Sequence, residues 1–302
     1  MTAAATASPV FQAVPETPRR LRLGMPHLDA GGLSENWLLR YAGDLHWEAI
    51  GKRLHASSDQ IRSEWGDRLY PTFVAVRARY DQPLSRVREN DVLEAAAEVE
   101  PCGRACAHGR VAATVGDHRL DLELLTTFAV REGSGLLKMA LPAARLTTRW
   151  ASVGAPPLID RLAKAARKGE PLIDSFSGPS LDTGKPPLGH VTYEPSPYAD
   201  YNGAGLLYFA SYVTIADTAE RQLVRTLGLA PRSPDWALAT SAVRRDVFYY
   251  CNLALGDSIT AELLSLEREA HAVTTRVRLR RASSGERMAD IVTRRALVDE
   301  RR

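Results

Sequence analysis

The chain has 302 residues, 45% of them hydrophobic and 25% charged, which is enough for one large or two mid-sized hydrophobic cores. Its formal net charge of +3 is small and evenly spread, so the composition argues against a nucleic-acid-binding surface. The three cysteines lack the spacing of a disulfide framework, and neither a secretory signal nor an apolar run of membrane-spanning length occurs. We therefore expect a protein of the reducing cytoplasm, without a nucleic-acid or membrane partner.

We expect the first twenty residues to form a flexible tail, because MTAAATASPVFQAVPETPRR contains alanine, threonine and proline but no hydrophobic segment. An organelle transit peptide is the alternative, since the segment is poor in acidic residues and ends in Arg19 and Arg20.

An internal repeat follows the tail. The strings MPHLDAGGLSENWLLRYAGD, from residue 25, and SPYADYNGAGLLYFASYVTI, from residue 196, align without gaps. Asp29 falls on Asp200 and Gly32 on Gly203. Each copy predicts a turn, then one helix, over about 33–47 and 204–216, and then several strands with alternating polarity.

One helix beside a run of antiparallel strands predicts an α+β fold in which a curved sheet wraps around the helix, the hotdog arrangement. Two copies predict a double hotdog, with two curved antiparallel sheets each wrapped around a central helix. The segment between the copies is rich in proline and glycine and predicts a linker. The expected divisions are a tail at 1–20, a first hotdog domain at 21–150, the linker at 151–195 and a second hotdog domain at 196–302.

The turn before each helix is the first candidate for a binding site, because unpaired amides at a helix start can stabilise an oxyanion. The candidate donors in the first copy are Gly32, Leu33 and Ser34. In the second copy they are Gly203, Ala204 and Gly205. The alternative is that these glycines only close a tight turn.

Other polar residues near the turns have structural explanations beside functional ones. Asp29 and Asp200 suit a base or a turn-forming carboxylate, and Asn202 suits carbonyl polarisation or a turn. His27, ahead of the first turn, is the better histidine candidate for contacting a ligand. His46 lies near the predicted end of the first helix, where the helix dipole favours a histidine.

The CGRACAH segment contains Cys102, Cys106 and His108, but without a second pair of ligands it does not predict a zinc site. The sequence also lacks a serine nucleophile elbow, a phosphate-binding loop and a dinucleotide fingerprint.

Three strings give the chain a family resemblance: MPHLDAGGLSENWLLRYAGDLHWEAI, RLYPTF and ADYNGAGLLYFASY. From about Gly24 onward the sequence resembles the double-hotdog acyltransferase/decarboxylases of polyketide biosynthesis, of the leinamycin-pathway type. The resemblance implies that a tyrosine in the RLY-x-TF context, here Tyr70, is acylated by methylmalonyl-CoA. Decarboxylation and transfer of a propionyl group to the phosphopantetheine thiol of an acyl carrier protein would follow, with no metal or organic cofactor.

The chemistry of a phenol is consistent with that role. Its reference pKa near 10 makes it a weak nucleophile unless its anion is stabilised, but its ester has a good leaving group that a thiol can displace. The alternative is that Tyr70 is a packing residue at the start of a strand.

Four arginines are candidates for binding the phosphates of coenzyme A or phosphopantetheine: Arg77 and Arg79 after Tyr70, and Arg244 and Arg245 in the second copy. The alternative is a solvated strand face.

Two further functions fit the same fold. A thioesterase that uses Asp200 or Asn202 to position water would release free acid, and a non-catalytic subunit would bind acyl thioesters or a carrier protein without turnover. A hydratase is disfavoured because no histidine follows the DYN string. The sequence leaves open the acyl group and whether the double hotdog is a monomer or a homodimer.

Overall fold

A computed structural model of the protein describes residues 18–132, 136–147, 150, 155–172, 175–176, 181, 184–229 and 236–298. The α-helices in this part of the chain are α1 Glu35–Leu54, α2 Ala144–Thr147, α3 Leu158–Lys168, α4 Phe209–Thr226 and α5 Trp236–Ala239. The β-strands in it are β1 Arg19–Arg22, β2 Leu28–Asp29, β3 Gly32–Leu33, β4 Tyr70–Tyr80, β5 Val92–Pro101, β6 Cys106–Val115, β7 His118–Glu132, β8 Leu136–Met139, β9 Gly189–Tyr193, β10 Thr240–Tyr249, β11 Ile259–Arg268, β12 Ala272–Arg281 and β13 Arg287–Leu297.

The two halves have the same order of elements, as the internal repeat predicts. Each half has a short strand, a turn, a long helix and four long antiparallel strands. The strand order β1-β5-β6-β7-β4 in the first half is mirrored by β10-β13-β12-β11-β9 in the second, and β8 pairs with β7. The arrangement confirms the predicted double hotdog.

The two half-sheets are joined into one continuous sheet. Strands β4 and β10 pair antiparallel at the centre, with Val76 opposite Val247 and Arg79 opposite Arg244. The structure therefore refines the expectation of two separate sheets, because β4 and β10 are edge strands of their own halves and each supplies the hydrogen-bonding partner that the other needs.

The inner face of the sheet packs against α1 and α4. Ser34 caps α1 by accepting a hydrogen bond from the amide of Trp37. The amide of Asn36 donates to the carbonyl of Ala210 and to the hydroxyl of Thr214, at 3.2 and 2.7 Å, and so ties the starts of the two helices together.

Both long helices begin and end later than the sequence predicted. Leu33 belongs to a two-residue strand, so α1 starts at Glu35, and it continues to Leu54. His46 is therefore in the middle of α1 and fully buried, not at a helix end. Residues 202–206 form a separate turn, so α4 starts only at Phe209.

The outer face of the sheet is partly covered by the predicted linker. Helix α3 packs Ile159 and Leu162 against Ala75, Leu125 and Phe248 of the sheet. The expected domain limits need two corrections. The second half begins before residue 196, because β9 pairs with β11, and β1 reaches back into the expected tail by pairing with β5.

A buried charge cluster connects the halves where α1 begins. Arg245 of β10 is 1% exposed and donates to both carboxylate oxygens of Glu35, at 2.9 and 2.6 Å. It also donates to both oxygens of Asp217 on α4, each at 3.0 Å. Burial alone would raise the pKa of Asp217, but the guanidinium groups of Arg245 and Arg295 hold it below its usual value. None of the helices described here is long and apolar enough to cross a membrane.

Candidate functional site

Tyr70 is the first residue of β4 and lies on the outer face of the sheet. It is directly opposite Ala129 of β7, whose neighbour Phe128 belongs to the inner core. Successive side chains of a strand point to opposite faces, so Ala129 and Tyr70 both point outward. Tyr70 is partly exposed, and within the described residues its hydroxyl makes no hydrogen bond. The residues described therefore leave part of Tyr70 uncovered.

One guanidinium group lies near this phenol, and a second arginine lies further along the same face of the sheet. The guanidinium of Arg68 is 5.2 Å from the ring centroid of Tyr70. Arg131 follows Ala129 by two residues on β7 and therefore belongs to the same face. The guanidinium of Arg131 reaches the turn before α4, because a Cβ on Gly205 would lie 3.4 Å from its Nη2 atom. Arg131 thus connects the surroundings of Tyr70 with the turn of the other half.

Apolar side chains are exposed around the same site. Ala129 of β7 pairs with Tyr70 on one side and with Met139 of β8 on the other. Met139 is 69% exposed. Trp65, in the loop that leads into β4, is 91% exposed. The surface near Tyr70 therefore offers apolar contacts as well as positive charge.

A polar cleft adjoins the same loop. Its lining includes His55, Asp59, Arg62 and Arg145, and Arg62 forms an isolated β-bridge with Arg68. Two guanidinium groups in one cleft suit an anion such as a phosphate.

The turn before α4 is held by hydrogen bonds among its own polar groups. The side-chain oxygen of Asn202 accepts from the amides of Ala204 and Leu206, at 3.0 and 3.1 Å. The buried carboxylate of Asp200 accepts from the hydroxyl of Tyr193 and the amide of Ser196. Gly203 is exposed and has open space where a Cβ would be. Asn202 and Asp200 are therefore turn residues here, and Gly203 faces open space.

The turn before α1 is covered by a neighbouring segment of the chain. A Cβ on Gly32 would lie 2.4 Å from the carbonyl oxygen of Leu84, so a neighbouring backbone fills the space in front of it. The amide of Ser34 donates to the carbonyl of His27, and Leu33 is 2% exposed. The predicted oxyanion site at Gly32, Leu33 and Ser34 is wrong for this reason.

Two more candidates from the first turn have structural partners. Nδ1 of His27 accepts from the amide of Gly24 at 2.8 Å, and its ring packs edge-on against Trp37. The carboxylate of Asp29 accepts from the amide of Gly31 at 2.7 Å, which is the turn-forming role. Neither side chain lies with Tyr70.

The inner contact between α4 and β4 is packed with aromatic rings. Phe73 and Phe209 stack with centroids 3.6 Å apart, and a Cβ on Gly43 would lie 2.8 Å from the ring of Phe209. Burial, with a contribution from Asp44, raises the pKa of nearby Tyr208 to about 12. The pKa of Tyr193 is raised to about 12 by burial and by Asp200. These two phenols are held neutral, which makes them poorer nucleophiles.

Two of the four predicted phosphate-binding arginines are structural. Arg77 is 3% exposed and pairs with Asp246 at 3.2 Å, and Arg245 belongs to the buried charge cluster. Both predictions are wrong because these guanidinium groups are enclosed and neutralised. Arg79 and Arg244 are exposed and directly opposite each other. From the usual rise per residue of a β-strand, Arg79 lies about 30 Å from Tyr70. This distance is too large for the two side chains to bind the same ligand.

The sequence analysis missed Arg68, Arg131, Arg62 and Arg145. Arg68 stands in the RLYPTF string and could have been found from its proximity to Tyr70. The other three carry no sequence signal, since only the sheet and the loops bring Arg62 and Arg145 into one cleft and Arg131 to the turn before α4. No cluster of histidine, cysteine, aspartate or glutamate that could hold a metal ion occurs among the described residues.

No protein-family model and no curated protein matches the sequence. Solved structures of similar fold include a putative oleoyl thioesterase from Lactobacillus plantarum, with 14% identity, TM-score 0.64 and coverage of 94% of this chain and 97% of that one. A 12:0-ACP thioesterase from Umbellularia californica has 8% identity, TM-score 0.61 and coverage of 93% and 97%. An acyl-ACP thioesterase from Bacteroides thetaiotaomicron has 12% identity, TM-score 0.59 and coverage of 92% and 96%. The likeness extends over nearly the whole of each chain and establishes the fold.

Proposed function

We propose that the protein is an enzyme that acts on acyl thioesters and that Tyr70 accepts the acyl group. The observation that supports this is the setting of Tyr70: a partly exposed phenol without a hydrogen-bonding carboxylate in the described residues, with Arg68 over its ring. A guanidinium there stabilises the negative charge that develops on the phenol during attack. Other tyrosines, such as Tyr80 and Tyr250, donate to carboxylates instead.

The first step forms the bond between the Tyr70 oxygen and the acyl carbonyl carbon. The carbon–sulfur bond breaks, the phenolic proton is lost, and the leaving thiolate takes up a proton as coenzyme A. For a malonyl-type group, loss of carbon dioxide leaves an enolate, which takes a proton at its α-carbon. The charge on the enolate oxygen is stabilised by nearby cations and amides, for which Arg131 and the Gly203 turn are the candidates.

The second step returns the phenol. The phosphopantetheine thiol of an acyl carrier protein attacks the tyrosyl ester, the carbon–oxygen bond breaks, and Tyr70 regains its proton. We propose methylmalonyl-CoA or a related malonyl-type thioester as donor and a propionyl group as the unit delivered, following the family resemblance. The phosphates of coenzyme A would bind in the cleft with Arg62 and Arg145, in place of the four arginines that the sequence suggested.

A thioesterase is the second candidate. It is favoured by the fold, because the similar solved structures are described as thioesterases. The positions expected to hold water in that reaction, Asp200 and Asn202, have their oxygens engaged in the turn. The fold thus supports the substrate class, whereas the setting of Tyr70 favours an acyl-enzyme ester over direct hydrolysis.

The decisive experiment is mass spectrometry of the intact protein and its peptides after brief exposure to methylmalonyl-CoA. The proposal expects a propionyl or methylmalonyl increment on Tyr70 that is absent in Tyr70→Phe and passes to an added carrier protein. Tyr198→Phe is the matched control, since Tyr198 is a second tyrosine with an exposed side chain, 98% exposed, in a different part of the chain. Free acid without an adduct would instead support the thioesterase, and binding without adduct or turnover would indicate a non-catalytic subunit.

The proposed phosphate cleft has its own test. Arg145→Met should raise KM for the coenzyme A thioester about tenfold, because a phosphate loses a charge-assisted hydrogen bond. The control Arg79→Met changes an exposed guanidinium about 30 Å along the strand from Tyr70 and should leave KM unchanged. An equal effect of both variants would contradict this placement of the phosphates.

A further inference from the structure

Cys102 and Cys106 face each other at the end of a β-hairpin. Strands β5 and β6 pair up to Pro101 opposite Ala107, which places Cys102 directly opposite Cys106. The amide of Cys102 donates to the carbonyl of Cys106 at 2.8 Å, so the strand pairing extends to the two cysteines. Directly opposite residues of an antiparallel pair have Cα atoms about 4.5–5.5 Å apart, within the range that a disulfide spans.

The two side chains lie on the same side of the sheet, because directly opposite residues of an antiparallel pair share a face. Both side chains are partly exposed and lie at the border of the apolar cluster beneath α3. A small oxidant can therefore reach the pair, and no large movement is needed to join the sulfurs.

The surroundings distinguish the two sulfurs. Interaction with the Cys106 side chain lowers the pKa of the Cys102 thiol, although burial and the carboxylate of Asp160 oppose this shift. Interaction with Cys102 and burial raise the pKa of the Cys106 thiol. Cys251 differs from both, since burial raises its pKa and its thiol donates to the carbonyl of Arg287.

We propose that Cys102 and Cys106 form a reversible dithiol–disulfide site. The oxidant is a low-molecular-weight disulfide such as oxidised glutathione. The thiolate of one cysteine attacks one sulfur of that disulfide, displaces one thiol and leaves a mixed disulfide on the protein. The other cysteine loses its proton, attacks the protein sulfur of the mixed disulfide and displaces the second thiol. Two protein thiols and one small disulfide thus become one protein disulfide and two small thiols.

The loop between the two cysteines is hydrogen-bonded to the neighbouring strand β7. The carbonyl of Ala105, in the loop between the cysteines, accepts hydrogen bonds from the amide of Phe128 and the hydroxyl of Thr127. Thr127 lies between Cys106 on one side and Thr72 on the other, and Thr72 is two residues from Tyr70. The disulfide would therefore cross-link the hairpin of β5 and β6 at the same level of the sheet as Thr72, two residues from the candidate nucleophile Tyr70. The proposal itself does not depend on the function of Tyr70.

The test uses the folded, full-length chain in glutathione buffers of increasing oxidised fraction. After acid quenching and alkylation, the protein is digested with trypsin, which cleaves after Arg104, between the two cysteines. In the wild type, we expect the peptides that contain Cys102 and Cys106 to remain joined without reductant and to separate with it. Cys251 should stay alkylated throughout and so serves as the internal control.

Serine variants test the intramolecular step. Cys106→Ser should accumulate a glutathione adduct on Cys102, and Cys102→Ser should accumulate one on Cys106, because in each variant the second thiol that would displace glutathione is missing. Cys251→Ser should behave as the wild type. The proposal is overturned if the joined peptides appear only when the protein is denatured before oxidation, or if Cys251 reacts as fast as Cys102.

Discussion

The buried charge cluster at the start of α1 yields a quantitative prediction for stability. Arg245 makes four hydrogen bonds to the carboxylates of Glu35 and Asp217, and a fifth, at 2.8 Å, to the hydroxyl of Thr293. The substitution Arg245→Met removes the charge but keeps an apolar side chain of similar length. It leaves the carboxylates of Glu35 and Asp217 in a buried site with less compensating charge.

We expect Arg245→Met to lower the free energy of unfolding by about 3–5 kcal/mol, the usual cost of removing one partner from a buried ion pair. This loss is a large part of the total stability of a typical domain, which is about 5–15 kcal/mol. The adjacent Arg244 supplies a matched control because it is exposed. Arg244→Met should change the free energy by no more than about 0.5 kcal/mol.

The measurement is equilibrium unfolding in guanidinium chloride at pH 7, followed by far-ultraviolet circular dichroism. Adding Glu35→Gln to Arg245→Met should restore some of the lost stability, on the order of 1 kcal/mol, because an uncompensated buried charge is removed. The reasoning is refuted if Arg245→Met costs no more than Arg244→Met, or if the double variant is less stable than Arg245→Met alone.

Three further predictions concern packing, pH and the candidate site. Gly109→Ala would place a Cβ 2.0 Å from Nδ1 of His46 and should cost about 1–3 kcal/mol of stability by denaturant unfolding, whereas Gly203→Ala meets open space and should cost far less. Burial lowers the pKa of His46 to about 3 and of His108 to about 4, while the unfolded values are near 6.5. The unfolded state therefore binds more protons, so the stability measured between pH 7 and 5 should fall as the pH falls below about 6.5; a flat profile would contradict the burial. Arg68→Met should slow acylation of Tyr70 about tenfold in rapid-quench mass spectrometry, and an unchanged rate would exclude charge stabilisation by Arg68.

The sequence predicted the fold because each half repeats one local pattern. A turn, a helix and alternating strands are short-range features, and they recur at nearly the same spacing in both halves. Helix ends were predicted less well. The sequence does not show that Leu33 joins a two-residue strand or that the Asn202 side chain holds a separate turn before α4.

The role of each arginine depends on its neighbours in the sheet. Arg244 and Arg245 are adjacent and chemically identical, yet alternation places one in solvent and the other between the carboxylates of Glu35 and Asp217. Arg77 and Arg79 differ in the same way, since Arg77 is enclosed by Asp246 and Arg79 is exposed. The sequence alone treats all four as equivalent candidates for phosphate binding.

The sequence by itself determined the double hotdog, because repeat and periodicity are local properties of the chain, and it was the family resemblance of a short string that singled out Tyr70. Only the tertiary structure decided which surroundings each candidate has. It closed the first turn with the backbone of Leu84, kept Gly203 open and brought Arg131 from a distant strand to the second turn. Such contacts follow from strand register and the packing of the two halves, which no single segment of the sequence specifies.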